Sequence, residues 1–308
     1  MRRFPALVAA ALAALALHAP ARALDPTVLV ATRNDGSLVR LALTGRLAGV
    51  TELVHGDPEK YTFHVATQAN GTSVAYTTFV ETRSGDLEDV STVDATSGKG
   101  RRLSHDGHSG FLLVSRDGRY RHVLRSSVIG TLTSVVRTDT RTGRSTTLLS
   151  VSPFFEWLSG ASLSPDGRTL YVASTVGERA SRMLAIDTAT GKRRAVRQDV
   201  TLGAVYNLVA SPDGRTLAAS WADEAGASHV SLVPVTSGSA RELSLPFNDL
   251  TASSFTRDGS EVVLTVPFSD ALPVGSGLLP GIWLGEVTSG AVTPVLGTDG
   301  LFQAVTVV

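Results

Sequence analysis

One short stretch, repeated with variation at near-constant spacing, limits the folds open to this chain. Its best copy is Ser164-Pro165-Asp166-Gly167-Arg168-Thr169-Leu170, preceded by the apolar run 161–163 and followed by 170–173. Proline presets φ for the second turn position, aspartate bonds the backbone just beyond it, and glycine accepts positive φ without strain. Such a stretch between two apolar runs predicts a tight hairpin. Variants stand at Gln68-Ala69-Asn70-Gly71, Ser115-Arg116-Asp117-Gly118, Ser211-Pro212-Asp213-Gly214 and Thr256-Arg257-Asp258-Gly259. Their glycines lie 47, 49, 47 and 45 residues apart.

A second turn alternates with the first. It ends in Thr44-Gly45, Ser97-Gly98, Thr142-Gly143, Thr190-Gly191, Ser237-Gly238 and Ser289-Gly290, with Asp94, Asp139 and Asp187 opening three of them. The segments between turns are short and rich in Val, Leu and Thr, and none keeps a helical apolar period over three turns. A period of this length with several strands per repeat predicts an all-β, six-bladed β-propeller of four-stranded antiparallel blades. Strands A and B flank the Asp-Gly turn, and strands C and D flank the Thr/Ser-Gly turn. Six copies of the second turn face only five of the first. The sixth blade is therefore expected to join both chain ends, with 27–32, 37–43 and 47–53 as its strands B, C and D and 302–308 as strand A. Closure of this kind pairs both sheet edges.

Before the repeats, Arg2 and Arg3 precede the apolar run 6–17, and Ala21-Arg22-Ala23 offers small residues for a signal peptidase. Residues 1–23 thus read as a secretory signal, with 24–308 as the propeller. The apolar run is shorter than the ~20 residues a bilayer span needs. Pro5 and the missing flanking pattern favour the general secretory route over twin-arginine export. The expected location is extracellular or periplasmic. The chain has 28 basic and 28 acidic residues, and cleavage would leave 25 basic, a net charge of −3. That balance argues against a nucleic-acid partner, which requires clustered positive charge. With no cysteine, the chain has no lipid-bearing cysteine, no thiol catalysis and no cysteine-ligated metal.

Ser-Pro-Asp-Gly-Arg-x-Leu after an apolar strand, followed by Ile186-Asp187-Thr188-Ala189-Thr190-Gly191, resembles the repeat of TolB-like β-propellers. Residues 163–173 and 210–219 carry it best. The resemblance covers nearly all the chain after the signal. It implies the propeller alone, without the separate α/β domain that TolB carries. It also implies a range of roles, from periplasmic scaffolds to non-catalytic domains of serine peptidases, and names no cofactor.

Candidate chemistry is sparse. Gly107-His108-Ser109-Gly110-Phe111 approaches a nucleophile elbow, but Phe111 replaces the last glycine and no α/β sheet is predicted to hold it. No catalytic residue is assigned. His105, Asp106 and His108 form the densest ligand-like cluster, read either as a divalent-cation site or as a solvated loop turned by Asp-Gly. His64 and Asn207 fall on inner strands, within reach of a central channel. Asp117, Asp166, Asp213 and Asp258, with Gly71, Gly118, Gly167, Gly214 and Gly259, are expected to be structural turn residues. Trp157, Trp221 and Trp283 are expected to pack between blades.

Sorting charges by turn separates them. The face of the A–B and C–D turns collects bases, among them Arg101, Arg102, Arg116, Arg193, Arg194 and Arg257. The opposite loop face collects acids, among them Asp57, Glu59, Glu81, Asp86, Glu88, Asp89, Asp106 and Asp270. The loop face also holds the longer loops, 81–89, 221–227 and 268–281. These features predict a protein-binding or scaffold module whose acidic loop face receives a basic peptide segment or a metal ion. The competing expectation is a channel-mouth enzyme, a metal-assisted hydrolase or lyase, or an oxidoreductase.

Overall fold

The computed structural model describes residues 27–44, 47–57, 62–82, 85–128, 131–152, 156–176, 180–197, 202–246, 248, 250–265, 281–295, 298 and 300–307. The proposed signal, Glu59 and Asp270 lie outside them, as does most of the loop 268–281. The side chains of Glu81 and Asp86 are likewise outside the described atoms. No helix among the described residues is long and apolar enough to cross a membrane.

The repeats fold as expected. The chain begins in the closing blade with β1 (Thr27–Arg33), β2 (Leu38–Thr44) and β3 (Leu47–Val54). Blade 1 is β4 (Thr62–Asn70), β5 (Ser73–Thr82), β6 (Gly85–Asp94) and β7 (Gly100–Arg102). Blade 2 is β8 (Ser109–Val114), β9 (Tyr120–Val128), β10 (Thr131–Asp139) and β11 (Ser145–Ser150). Blade 3 is β12 (Glu156–Leu163), β13 (Thr169–Val176), β14 (Ala180–Asp187) and β15 (Arg193–Ala195). Blade 4 is β16 (Ala204–Ala210), β17 (Thr216–Ala222), β18 (Ser228–Pro234) and β19 (Arg241–Glu242). Blade 5 is β20 (Thr251–Phe255), β21 (Glu261–Thr265), β22 (Ile282–Glu286) and β23 (Val292–Pro294). Finally β24 (Leu301–Val307) returns to pair antiparallel with β1, from Val28 opposite Val307 to Arg33 opposite Leu301. Each blade is one four-stranded antiparallel sheet, and the inner strands β4, β8, β12, β16, β20 and β24 touch in a ring. It is a six-bladed β-propeller closed by both ends of the described chain.

Apolar faces of neighbouring blades form the core. Leu113, Leu124 and Val135 of blade 2 meet Leu158, Leu170 and Ile186 of blade 3. Leu29, Val39 and Leu41 of the closing blade meet Val263 and Ile282 of blade 5. Burial of each such side chain contributes ~1.5–3 kcal/mol.

The turns hold themselves. Asp166 Oδ1 accepts from the Ser164 hydroxyl at 2.7 Å and the Arg168 amide at 3.0 Å. Asp213 repeats this with Ser211 and Arg215. The C–D turns use the same device: Asp94 accepts from Thr72, Thr96 and Ser97. The Thr72 hydroxyl, with the Ser97 amide and hydroxyl, holds the Asp94 carboxyl down at about 2. Blade 1 departs from the pattern. Asn70 Nδ2 reaches the Ser115 and Arg116 carbonyls of blade 2, at 2.9 and 3.1 Å.

Gly214 has φ +69°, and a Cβ there would lie 3.2 Å from Pro165 Cδ on the neighbouring turn. Gly214→Val is therefore expected to cost at least ~1–2 kcal/mol from backbone strain alone, read as a lowered midpoint in urea. Asp166→Asn keeps an acceptor oxygen and should shift the midpoint little.

Candidate functional site

The inner strands surround a central cavity of about 580 Å³. Its lining includes Gln68, Asn70, Arg116, Ser162, Asn207, Ser254, Arg257 and Thr306. Arg116 and Arg257 stand on the A–B turns themselves, and the others belong to the inner strands on the side of those turns. Every inner strand carries one register shift against its neighbour, at Thr67, Phe111, Ser159, Tyr206 and Ser253 in blades 1 to 5 and opposite Ala31 in the closing blade. A bulge bends a strand and re-aims its side chains. Thr67 uses this to donate its hydroxyl to the Leu112 carbonyl of blade 2 at 2.9 Å. Phe111, the residue that spoils the elbow pattern, sits at such a bulge with φ +56°.

Asn207 lines the cavity as expected, but its amide is in use. Its Nδ2 donates to the Ala252 carbonyl of blade 5 at 2.7 Å, and its Oδ1 accepts the Leu208 amide at 3.0 Å. His64 does not line the cavity. It shares the face of β4 that carries Ala66 against the closing blade. There its Nε2 donates to the His55 carbonyl at 3.2 Å, its Nδ1 meets the Thr78 hydroxyl at 3.0 Å, and Tyr76 packs edge-on at 5.4 Å. Burial lowers its pKa.

The structure gathers the remaining candidates where blade 1 passes to blade 2. Glu88 forms an isolated bridge with His108 and its amide donates to the Gly107 carbonyl at 3.0 Å. Asp89, only 7% exposed, is paired with Arg102 and accepts the Ser104 hydroxyl at 2.7 Å. Asp106 accepts the Ser109 hydroxyl at 2.8 Å and the His108 amide at 3.2 Å, and is paired with Arg125. Burial alone would raise the Asp106 pKa; the Ser109 and His108 bonds and the Arg125 charge overcome it and set the value low. Both aspartates thus organise the loop. Among the described residues, no three His, Asp or Glu side chains form a cluster able to hold a metal ion. His105 and His108 are exposed on the loop face and do not line the cavity, which lies toward the turns.

This geometry corrects the sorting of charges. Arg102 ends the short strand β7 at the loop side, where register sets it opposite Ser91, so it neutralises Asp89 instead of joining the turn face. Arg125, paired with Asp106, and Arg33, paired with Glu52 at 2.8 Å, add further bases to the loop face. On the turn face several arginines act as staples between blades. Arg193 donates to the Leu148 carbonyl at 2.9 Å and Arg241 to the Val287 carbonyl at 3.0 Å. Arg137 reaches the Thr188 carbonyl across the same kind of interface.

One cluster gave no signal in the sequence. His229 lies between Glu242 at 2.6 Å and Asp223 at 3.4 Å, and stacks on Trp221 with centroids 4.2 Å apart. The Glu242 bond, with help from Asp223, outweighs partial burial and raises the His229 pKa. These residues come together only when β17, β18 and β19 are in register.

No protein-family profile matches the chain, and no characterised protein matches it by sequence. Solved structures do match by shape. TolB from Acinetobacter baumannii superposes with a TM-score of 0.69 at 14% identity, covering 92% of this chain and 67% of that one. A chain of a nidogen/laminin complex gives 0.67 at 12% identity, covering 92% and 98%. Oligogalacturonate lyase from Vibrio parahaemolyticus gives 0.55 at 13% identity, covering 85% and 75%. At these identities the likeness is one of fold, and the fold is the six-bladed propeller that TolB also contains.

Proposed function

We propose that this chain is an exported, non-catalytic binding propeller that presents the blade 1–2 rim of its loop face to a basic segment of a protein partner. The observation that carries this is Leu87. It is 41% exposed, and a Cβ on Gly107 would lie 2.8 Å from its Cδ2, so it rests on the loop that Asp89 and Asp106 hold rigid. An exposed apolar side chain near the start of β6, resting on Gly107 of a loop that also exposes His105, Asp106 and His108, is a fitting anchor for a partner. The propellers of TolB and of the nidogen/laminin complex make protein binding a natural use of the scaffold. Residues 1–23 support export.

Because Asp89 and Arg102 hold the loop, the test leaves them intact. Combined Glu81→Gln, Asp86→Asn and Leu87→Ala is expected to weaken binding of lysine-rich peptide probes at least about fivefold. Binding to the parent protein should also fall with salt, since exposed charges are screened beyond ~10 Å at ~0.1 M. Fluorescence anisotropy reads both. Equal affinity in parent and variant would remove the loop rim as the binding surface. The second reading, a channel-mouth enzyme, draws on the cavity and on the shared fold of the lyase. Turnover of an anionic substrate that is abolished by substitutions in the cavity would favour it.

A further inference from the structure

The central cavity carries a charge arrangement that the loop face does not explain. The second residue of each A–B turn lines it: Ala69, Arg116, Pro165, Pro212 and Arg257 in blades 1 to 5. Only two of these are charged, and both are arginines. Blades 2 and 5 are three places apart in a ring of six, so Arg116 and Arg257 stand on opposite sides of the mouth. Among the described residues neither guanidinium makes an ion pair or a side-chain hydrogen bond, and no carboxylate lines the cavity. The aspartate following each arginine is committed to its own turn: Asp117 Oδ1 to Ser115 and Arg119, Asp258 Oδ1 to Thr256 and Ser260. This contrasts with Arg137, Arg193 and Arg241, which are all tied to carbonyls of neighbouring blades.

Arg116 also borders an adjoining groove between blades 1 and 2, of about 520 Å³, that contains Arg121. Burial and the nearby Arg101 charge lower the Arg121 pKa. Two arginines, Arg116 and Arg121, thus line this groove with one carboxylate, Asp117, whose Oδ1 is committed to its own turn.

We propose that the channel mouth binds a small di- or tricarboxylate, held between Arg116 and Arg257. A planar guanidinium donates two parallel N–H···O bonds to a carboxylate, and one such fork on each side of the mouth suits a ligand with an anionic group at each end. The cavity volume falls within the roughly 300–1,000 Å³ of small-molecule sites. Ser162, whose hydroxyl oxygen accepts the Ala210 amide, also lines the cavity.

Titration calorimetry at low salt tests this with succinate, glutarate, adipate and citrate. Succinamide serves as the neutral control and inorganic phosphate as the anion control. The expected result is saturable one-site binding with an optimum in spacer length, no heat with succinamide, and weak or absent phosphate binding. Arg116→Gln and Arg257→Gln should each weaken binding about tenfold or more, by removal of a charge-assisted pair. Arg116→Lys, which keeps the charge and loses the fork, should fall between. Neither glutamine variant should change the melting temperature, because neither side chain holds the fold. Arg168→Gln and Arg215→Gln, on turns but outside the cavity lining, should bind like the parent. Absence of saturable binding by every acid would overturn the proposal. So would phosphate binding as tight as the best dicarboxylate, or an equal loss in the Arg168 and Arg215 variants, which would mark diffuse attraction to the rim.

Discussion

A chain ending at Thr298 is expected to lose most or all of its stability. The deletion removes β24, and with it Leu301, Ala304 and Val305, which are 3%, 0% and 4% exposed. At ~1.5–3 kcal/mol for each larger side chain, the lost burial alone approaches ~5 kcal/mol. That is the lower end of the ~5–15 kcal/mol typical of a domain. The loss does not end there. Thr306 Oγ1 donates to the Phe255 carbonyl and its amide donates to Ser254 Oγ at 3.2 Å, joining blade 5 to the closing blade. Without β24, the β1 edge is open for pairing with other chains. The truncated protein should appear in inclusion bodies, or as a soluble species that melts far below the parent and elutes as aggregate. A melting temperature equal to the parent's would contradict closure through β24.

The second large effect is acid sensitivity at the blade 2–3 interface. His122 is fully buried on β9, opposite Leu113 and Arg137, on the face that carries Leu124 and Val135 against blade 3. Among the described residues neither ring nitrogen has a hydrogen-bond partner. Burial pushes its pKa from 6.5 down to about 4, and the Arg137 charge acts in the same direction. Above pH ~6.5 the ring is neutral in both folded and unfolded chains. As pH falls from there toward 4 the unfolded chain takes up a proton that the folded chain refuses, so stability declines, by roughly 3 kcal/mol in all. His64, also lowered by burial, adds in the same sense. His229 acts oppositely: its raised pKa gives stability that is present in acid and lost as pH rises through the folded value. Comparing parent with His122→Leu isolates one residue from this sum. The variant should lose much of the decline between pH 6.5 and 4. It should also be more stable at pH 7, by about 1–3 kcal/mol, because two unpaired buried nitrogens are removed. Parallel pH profiles for the two proteins would show that His122 is not held neutral.

The hairpins, the blade count and the closure were legible because their determinants are local. Ser164, Asp166 and Gly167 build a turn from bonds two residues apart, and the same logic recurs at Ser211, Asp213 and Gly214. A pattern complete within a few residues survives as a motif. Counting five Asp-Gly hairpins against six Thr/Ser-Gly turns was then enough to send the last strand back to the first.

The polar sites were much less legible. Sequence position placed His64 and Asn207 on inner strands, yet could not tell that one faces the closing blade and the other the cavity. It also put Arg102 on the wrong rim. Adjacent His105, Asp106 and His108 looked like a ligand set, whereas Asp106 is bound by Ser109 and Arg125.

Turn chemistry and repeat period, both written in neighbouring residues, determined that this protein is a propeller with six blades joined at its ends. The tertiary structure alone decided which polar groups the fold consumes and which, among the described residues, it leaves without a bond to a neighbouring blade. The bonds that consume them join residues about one blade apart, such as Asn70 to Ser115, Asn207 to Ala252 and Arg137 to Thr188. Those partners depend on strand register and on the angle between sheets. Arg116 and Arg257 are set apart from the stapling arginines for the same reason: the ring places them on opposite sides of the channel mouth, where among the described residues neither guanidinium is bonded to a carbonyl of a neighbouring blade.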